Sequence, residues 1–209
     1  DVASNQKMDA DIPVGDKPRA IAITPDGGHI YVANLGDEDV TVIETDTNGN
    51  GIVVGTVVVG ANPLAVSLTP DGAYAYVVNR GSNSVSVIDT ARPHTHHTEI
   101  AVGSTPQWIA VSPDGTYAYV INYEDSNLSV IDTDATSSSF NEVVGSTIGV
   151  GGFPSRIAFT PDGAYAYVSN ADDNTVSVIR TSTHTQLEPI AAAEFDFSAG
   201  IAIMPTQPP

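Results

Sequence analysis

The tripeptide Pro-Asp-Gly returns four times along this chain, starting at Pro25, Pro70, Pro113 and Pro161, at intervals of 45, 43 and 48 residues. A period of that size marks a stacked array, in which no unit buries its apolar faces alone and each is completed by its neighbours. The prolines Pro18, Pro63, Pro106 and Pro154 keep the same intervals, as do Asn34, Asn79, Asn122 and Asn170. From each of those prolines to Thr45, Thr90, Thr133 or Thr181 the distance is always 27 residues. All variation in length falls after the threonine, which makes that stretch an exit loop.

Inside the frame the alternation is that of strands. The first run is Ile21-Ala22-Ile23 and its equivalents, and the second is Tyr74-Ala75-Tyr76-Val77-Val78-Asn79 and its equivalents. The third run is Val85-Ser86-Val87-Ile88-Asp89-Thr90, and a weaker fourth ends in Val-Gly at Val59-Gly60, Val102-Gly103 and Val150-Gly151. Between the first two runs Pro-Asp-Gly supplies a tight turn: proline sets φ, aspartate bonds nearby backbone, glycine accepts positive φ. Small and large residues alternate on both faces of the runs, so both faces are expected to be covered, which fits sheets stacked radially better than a one-faced sandwich. The expected fold is all-β, a β-propeller of four-stranded antiparallel blades. Its four complete repeats lie near 15–60, 60–103, 103–151 and 151–200, with partial strands at 11–15 and 199–205.

Those residues also resemble a known family. Tyr31-Val32-Ala33-Asn34, Tyr76-Val77-Val78-Asn79, Tyr119-Val120-Ile121-Asn122 and Tyr167-Val168-Ser169-Asn170 are similar to the Tyr-Val-Thr-Asn (YVTN) β-propeller repeat. The Pro-Asp-Gly before each and the Val-Ser-Val-Ile-Asp-Thr type of run after it strengthen the likeness. The resemblance covers roughly residues 12–205. It implies blades around a central channel, in surface-layer and other exported proteins, with lactonase-like enzymes among the related propellers. Fold alone does not choose between these functions.

The ends leave the ring open. Ile12-Pro13-Val14-Gly15 matches an outer strand, and Ile201-Ala202-Ile203-Met204-Pro205 matches an inner one. These two cannot complete one blade together. The open ends call for additional blades, for a second copy in a homo-oligomer, or for closure as a small four-bladed ring.

Composition narrows the partners. Twenty-five Asp and Glu against 7 Lys and Arg leave a net charge of −18, which repels phosphate backbones and excludes non-specific nucleic-acid binding. No apolar run nears the roughly 20 residues of a membrane span. The chain has no cysteine, so thiolate chemistry and cysteine-held metals are excluded. The acidity and scarce lysine point to an extracellular, cell-surface or periplasmic location.

Columns that differ between repeats are the place to look for function. Two residues after the frame proline the column reads Ala20, Ala65, Trp108, Arg156, and one residue after it Arg19, Leu64, Gln107, Ser155. These positions enter the innermost strand at the mouth of the channel. Trp108, Arg156, Arg19 and Gln107, with Tyr123 and Arg80 directly after the Asn column, are the expected ligand-binding residues. An aromatic platform with guanidinium groups suits a carboxylate, a sugar or a peptide.

Two exit loops suggest metals. Asp46, Asn48 and Asn50 alternate oxygen donors before Gly51, as in the first half of a Ca2+ loop, although Val57 stands where a bidentate glutamate belongs. His94 and His96, if extended, face one way and form a candidate transition-metal pair. Acidic loops at Asp37, Asp125 and Asp173 are further Ca2+ candidates. No catalytic signature is present, so the expected function is a non-catalytic exported scaffold that binds a protein or glycan. The alternatives are a lactonase-like or metal-assisted hydrolase or lyase, or the propeller portion of a larger redox enzyme.

Overall fold

Each 27-residue frame folds as three antiparallel strands, and a fourth strand follows the exit loop. The computed structural model describes residues 11–46 and 50–191. The first sheet holds β1 (Pro18–Ile23), β2 (His29–Asn34), β3 (Asp39–Thr45) and β4 (Gly51–Val58). The second holds β5 (Pro63–Leu68), β6 (Tyr74–Asn79), β7 (Ser84–Asp89) and β8 (Thr95–Ala101). The third holds β9 (Pro106–Val111), β10 (Tyr117–Asn122), β11 (Asn127–Asp132) and β12 (Ile148–Gly149). The fourth holds β13 (Pro154–Phe159), β14 (Tyr165–Asn170) and β15 (Thr175–Arg180). Its outer strand is split into β16 (Thr185–Gln186) and β17 (Ile190–Ala191), both paired with β15. Pro189, which has no N–H to give the ladder, lies between the two pieces.

The first strands of consecutive sheets pack on one another, β1 on β5, β5 on β9 and β9 on β13. The core is therefore three seams rather than one centre. Tyr31, Val40, Val42, Ala75 and Ile88 fill the first, Tyr76, Val85, Val87, Ile109 and Val120 the second, and Tyr119, Leu128, Ile157, Val168 and Ile179 the third. This is the blade stacking of a β-propeller. Among the described residues no helix is long and apolar enough to cross a membrane.

Side-chain hydrogen bonds account for the fixed frame. The hydroxyls of Thr45, Thr90, Thr133 and Thr181 donate to the carbonyls of Gly27, Gly72, Gly115 and Gly163, tying the end of each third strand to the Pro-Asp-Gly turn. Those glycines have φ between 69° and 76°, which other L-residues seldom adopt. The turn aspartates Asp26, Asp71, Asp114 and Asp162 each accept the hydroxyl of the Thr or Ser two residues earlier, at 2.5 to 2.6 Å. That bond, with a backbone N–H, holds Asp26, Asp71 and Asp162 below the usual carboxylate range.

The asparagines serve the blade interior. Asn34 Nδ2 donates to Asp39 and Thr41, Asn79 Nδ2 to Ser84 and Ser86, Asn122 Nδ2 to Asn127 and Ser129, and Asn170 Nδ2 to Thr175 and Ser177. The glycine of each Val-Gly lies against the carboxamide. A Cβ on Gly15, Gly60, Gly103 or Gly151 would come within 2.6 to 2.7 Å of Asn34, Asn79, Asn122 or Asn170 respectively. Ile12–Gly15 belongs to none of the sheets, yet its glycine occupies this same seat. The expected inner strand near 199–205 lies outside the described residues.

Candidate functional site

Every innermost strand starts with an irregularity that sequence alternation does not reveal. The register with the second strand shifts between Pro18 and Ala20, between Pro63 and Ala65, and between Pro154 and Arg156, and β9 shows the same shift opposite Ile121 and Asn122. The extra residues are Arg19, Leu64, Gln107 and Ser155. A bulge bends the strand and re-aims its side chains, so these columns leave the strict in-and-out alternation of the blade. The residue before each frame proline supports the bend with a left-handed backbone: φ is 51° at Lys17, 55° at Asn62, 47° at Thr105 and 51° at Phe153.

At the third and fourth blades this geometry brings two expected residues into contact. The Arg156 guanidinium carbon lies 4.2 Å from the centre of the Trp108 ring, and Nη1 donates to the Ser155 carbonyl at 2.8 Å. Both side chains are half-buried. A guanidinium held over an indole face keeps a fork of N–H donors with which it can meet a planar oxygen acceptor. Trp108 also lines, with Arg19, Pro18, Ala20 and Val66, a cavity of about 510 Å³. Trp108 thus touches Arg156 and also lines the cavity that Arg19 lines. Gln107 is the half-buried bulge residue beside Trp108.

Tyr123 stacks on Phe153, with ring centres 5.0 Å apart and planes at 13°. Phe153 escaped the sequence reading, though its column, Lys17, Asn62, Thr105, Phe153, has one aromatic member and so held the signal. Arg80 is exposed on the loop after Asn79, where its backbone N–H bonds the Asn62 carbonyl.

The metal candidates are arranged otherwise. His94 has φ 60°, which breaks the alternation with His96; its Nδ1 lies 3.0 Å from the Tyr31 hydroxyl in the first seam. His96 Nε2 meets Glu99 Oε2 at 3.2 Å, so the two imidazoles do not converge. Asp46 accepts the backbone N–H and the Nδ2 of Asn50 at 2.8 and 3.0 Å, closing a turn; Asn48 lies outside the described residues. Asp37, Asp125 and Asp173 accept the backbone N–H of Asp16, Ser104 and Gly152, each at 2.7 Å, so these carboxylates fasten the blade junctions. Among the described residues no group of three or more His, Asp or Glu is placed to hold a metal ion.

The inner strands read Pro-Arg-Ala-Ile-Ala-Ile, Pro-Leu-Ala-Val-Ser-Leu, Pro-Gln-Trp-Ile-Ala-Val and Pro-Ser-Arg-Ile-Ala-Phe. They carry two guanidinium groups, an indole and a carboxamide, and no imidazole or carboxylate. Such a set can bind and polarise an oxygen acceptor.

The family described as lactonase, 7-bladed β-propeller, matches residues 65–196. No curated protein matches the chain. Among solved structures, hydrazine synthase of Kuenenia stuttgartiensis aligns with a TM-score of 0.72 at 30% identity, over 90% of this chain and 52% of that one. A functionally unknown protein from Desulfotomaculum acetoxidans aligns at 0.79 and 23% identity, over 94% of this chain and 64% of that one. The periplasmic gluconolactonase of Pseudomonas aeruginosa aligns at 0.69 and 20% identity, over 83% of this chain and 53% of that one. The last two identities speak for the fold alone. The chain spans about half to two thirds of the length of these proteins. The match to a lactonase family overturns the expectation of a non-catalytic scaffold. That expectation rested on missing catalytic motifs, and a site assembled from several blades leaves no contiguous motif to find.

Proposed function

This chain belongs to the lactonase, seven-bladed β-propeller family, and from that premise we propose that it forms the substrate-holding part of a lactone-hydrolysing propeller. The observation that supports the reading most directly is Arg156 seated on Trp108 at 4.2 Å, at the entrance of an inner strand. Opening a lactone places negative charge on the carbonyl oxygen in the tetrahedral intermediate and then on the carboxylate product. A fixed guanidinium meets both, and preorganised donors of this kind are a leading source of rate enhancement. The indole face suits the C–H face of a sugar-derived ring, and Arg19 across the cavity suits a second oxygen of the same ligand. The four inner strands hold no general base. The group that activates water therefore comes from a loop, or from blades of the seven-bladed ring beyond the four sheets described. An exported, periplasmic setting accompanies this reading, in line with the acidic surface.

The test is acid release from five- and six-membered aldonolactones, with calorimetric titration of the aldonate product. Release above the spontaneous rate is expected. Arg156→Ala should lower it about 10²-fold, and Arg156→Ala or Trp108→Ala should weaken aldonate binding with the fold intact. Turnover and binding indifferent to both substitutions would refute the assignment of the site. A second reading, the propeller portion of a larger enzyme, is favoured by the 30% identity to hydrazine synthase. It would be preferred if folded protein neither binds an aldonate nor opens a lactone.

A further inference from the structure

The three seams between blades are closed by one recurring contact. The frame tyrosine of each blade reaches a left-handed residue in the exit loop of the next. The Tyr31 hydroxyl lies 3.0 Å from Nδ1 of His94, the Tyr76 hydroxyl donates to Oδ1 of Asn141 at 2.7 Å, and the Tyr119 hydroxyl lies 2.7 Å from Nδ1 of His184. The receiving residues have φ of 60°, 63° and 50°. All three tyrosines are fully buried. Burial pushes Tyr31 up to about 12 and raises Tyr119 as well, so both hydroxyls keep their protons and need an acceptor. A neutral imidazole protonated on Nε2 offers Nδ1 as that acceptor. A carboxamide does the same at every pH.

We propose that His94 and His184 make the first and third seams acid-sensitive, while the second, held by Asn141, is not. When an imidazole gains its second proton, Nδ1 turns from acceptor into donor and faces a tyrosine O–H that is itself a donor. The imidazole can then only donate to the tyrosine oxygen, the buried tyrosine hydrogen loses its acceptor, and a charge enters the seam.

The surroundings of His94 oppose that charge. From β2 come Tyr31 and His29, whose ring stands edge-on with centres 4.8 Å apart. From β3 comes the carboxylate of Glu44, but it is paired with Arg92 at 2.5 Å. Arg92, two residues before His94 in the same loop, adds positive charge. His94 is 8% exposed, and its Nε2 is buried without a partner. Burial first, then His29 and Arg92, hold its titration below the ordinary histidine range, against the opposing pull of the Thr90 backbone and of Glu44. Asp26 and Asp89 act on the tyrosine end of the contact. His184 is packed edge-on by Tyr117, with centres 4.6 Å apart, and by Tyr119; burial alone lowers it. Asp114 acts on Tyr119 there.

The sign follows from linkage. The unfolded chain takes up these protons near pH 6.5, and the folded chain refuses them until lower pH. Stability is therefore level above that pH and falls as pH drops below it.

The experiment compares urea midpoints of the whole chain between pH 8 and pH 5.5. The wild type should lose midpoint over the lower half of that range. A double variant, His94→Asn with His184→Asn, copies the Asn141 seam and should be flat there. Asn141→His should make the decline steeper, and it tests the idea independently if the double variant does not fold. His29→Tyr, the residue type of that column in the other three blades, should leave the decline in place. A double variant that tracks the wild type, an Asn141→His variant with an unchanged slope, or a decline abolished by His29→Tyr alone would each overturn the proposal.

Discussion

The inner strands β1 and β9 have the same design and different surroundings. Each starts at a frame proline, bulges at the next residue and continues with alternating aliphatics. Ile21 and Ile23 of β1 are 68% and 56% exposed, whereas Ile109 of β9, in the column of Ile21, is 3% exposed. The column faces the preceding blade: Ile109 packs in the second seam and Ile157 in the third. Among the described residues no blade precedes β1. Apolar alternation thus marks a face that is built to be covered. What covers it is a property of the neighbour.

The largest expected effect comes from breaking that comparison directly. Ile109→Ala or Ile157→Ala should destabilise by about 2–5 kcal/mol, the range for emptying a packed aliphatic site. Ile21→Ala should change stability by no more than about 0.5 kcal/mol. Urea unfolding midpoints of the three variants measure the contrast, and equal losses would show that β1 is covered as β9 is.

A smaller effect sharpens the same comparison at the glycines. A Cβ on Gly103 would fall 2.6 Å from the Asn122 carboxamide, whereas one on Gly55 meets nothing within 4 Å. Gly103→Ala should cost about 1–3 kcal/mol through overpacking, and Gly55→Ala should be neutral or stabilising in thermal unfolding. The smallest effect is electrostatic. Asp71 titrates below its ordinary value, first because of the Thr69 hydroxyl. A carboxylate lowered in the folded state stabilises it above the unfolded value, near pH 4, and that contribution is lost as pH falls through the folded value. Thr69→Ala should therefore lower stability at pH 6 and narrow its difference from the wild type as pH falls below 4. A constant difference down to pH 2 would separate the hydroxyl from the titration.

Much of the fold was legible in the chain because its repeated residues act within one blade. Pro-Asp-Gly, the closing threonine and the asparagine all bond partners inside their own sheet, at fixed sequence distance, so their recurrence is readable as structure. The spacing of the asparagines is plain in the sequence; that their Nδ2 groups bond side chains of the third strand, that Asn122 Oδ1 accepts the Gly103 N–H, and that each seats a glycine is visible only in the packing. The candidate site was legible in part. Trp108 and Arg156 stood out as departures from a column, but their contact depends on bulges that pattern does not announce. His94 and His96 were expected to converge, and one left-handed residue turned them apart. No contiguous motif in the sequence singles out the lactonase family from other propellers; the family match over residues 65–196 does.

What the chain determined by itself is the blade: its turns, strand alternation and internal ties are short-range, and local stereochemistry and hydrogen bonding specify them. What only the tertiary structure decided is everything that crosses a seam. That includes which aliphatic faces are buried, which imidazole receives a tyrosine, and which arginine rests on the tryptophan. Those contacts join residues tens of positions apart, and their geometry is set by how one twisted sheet lies on the next.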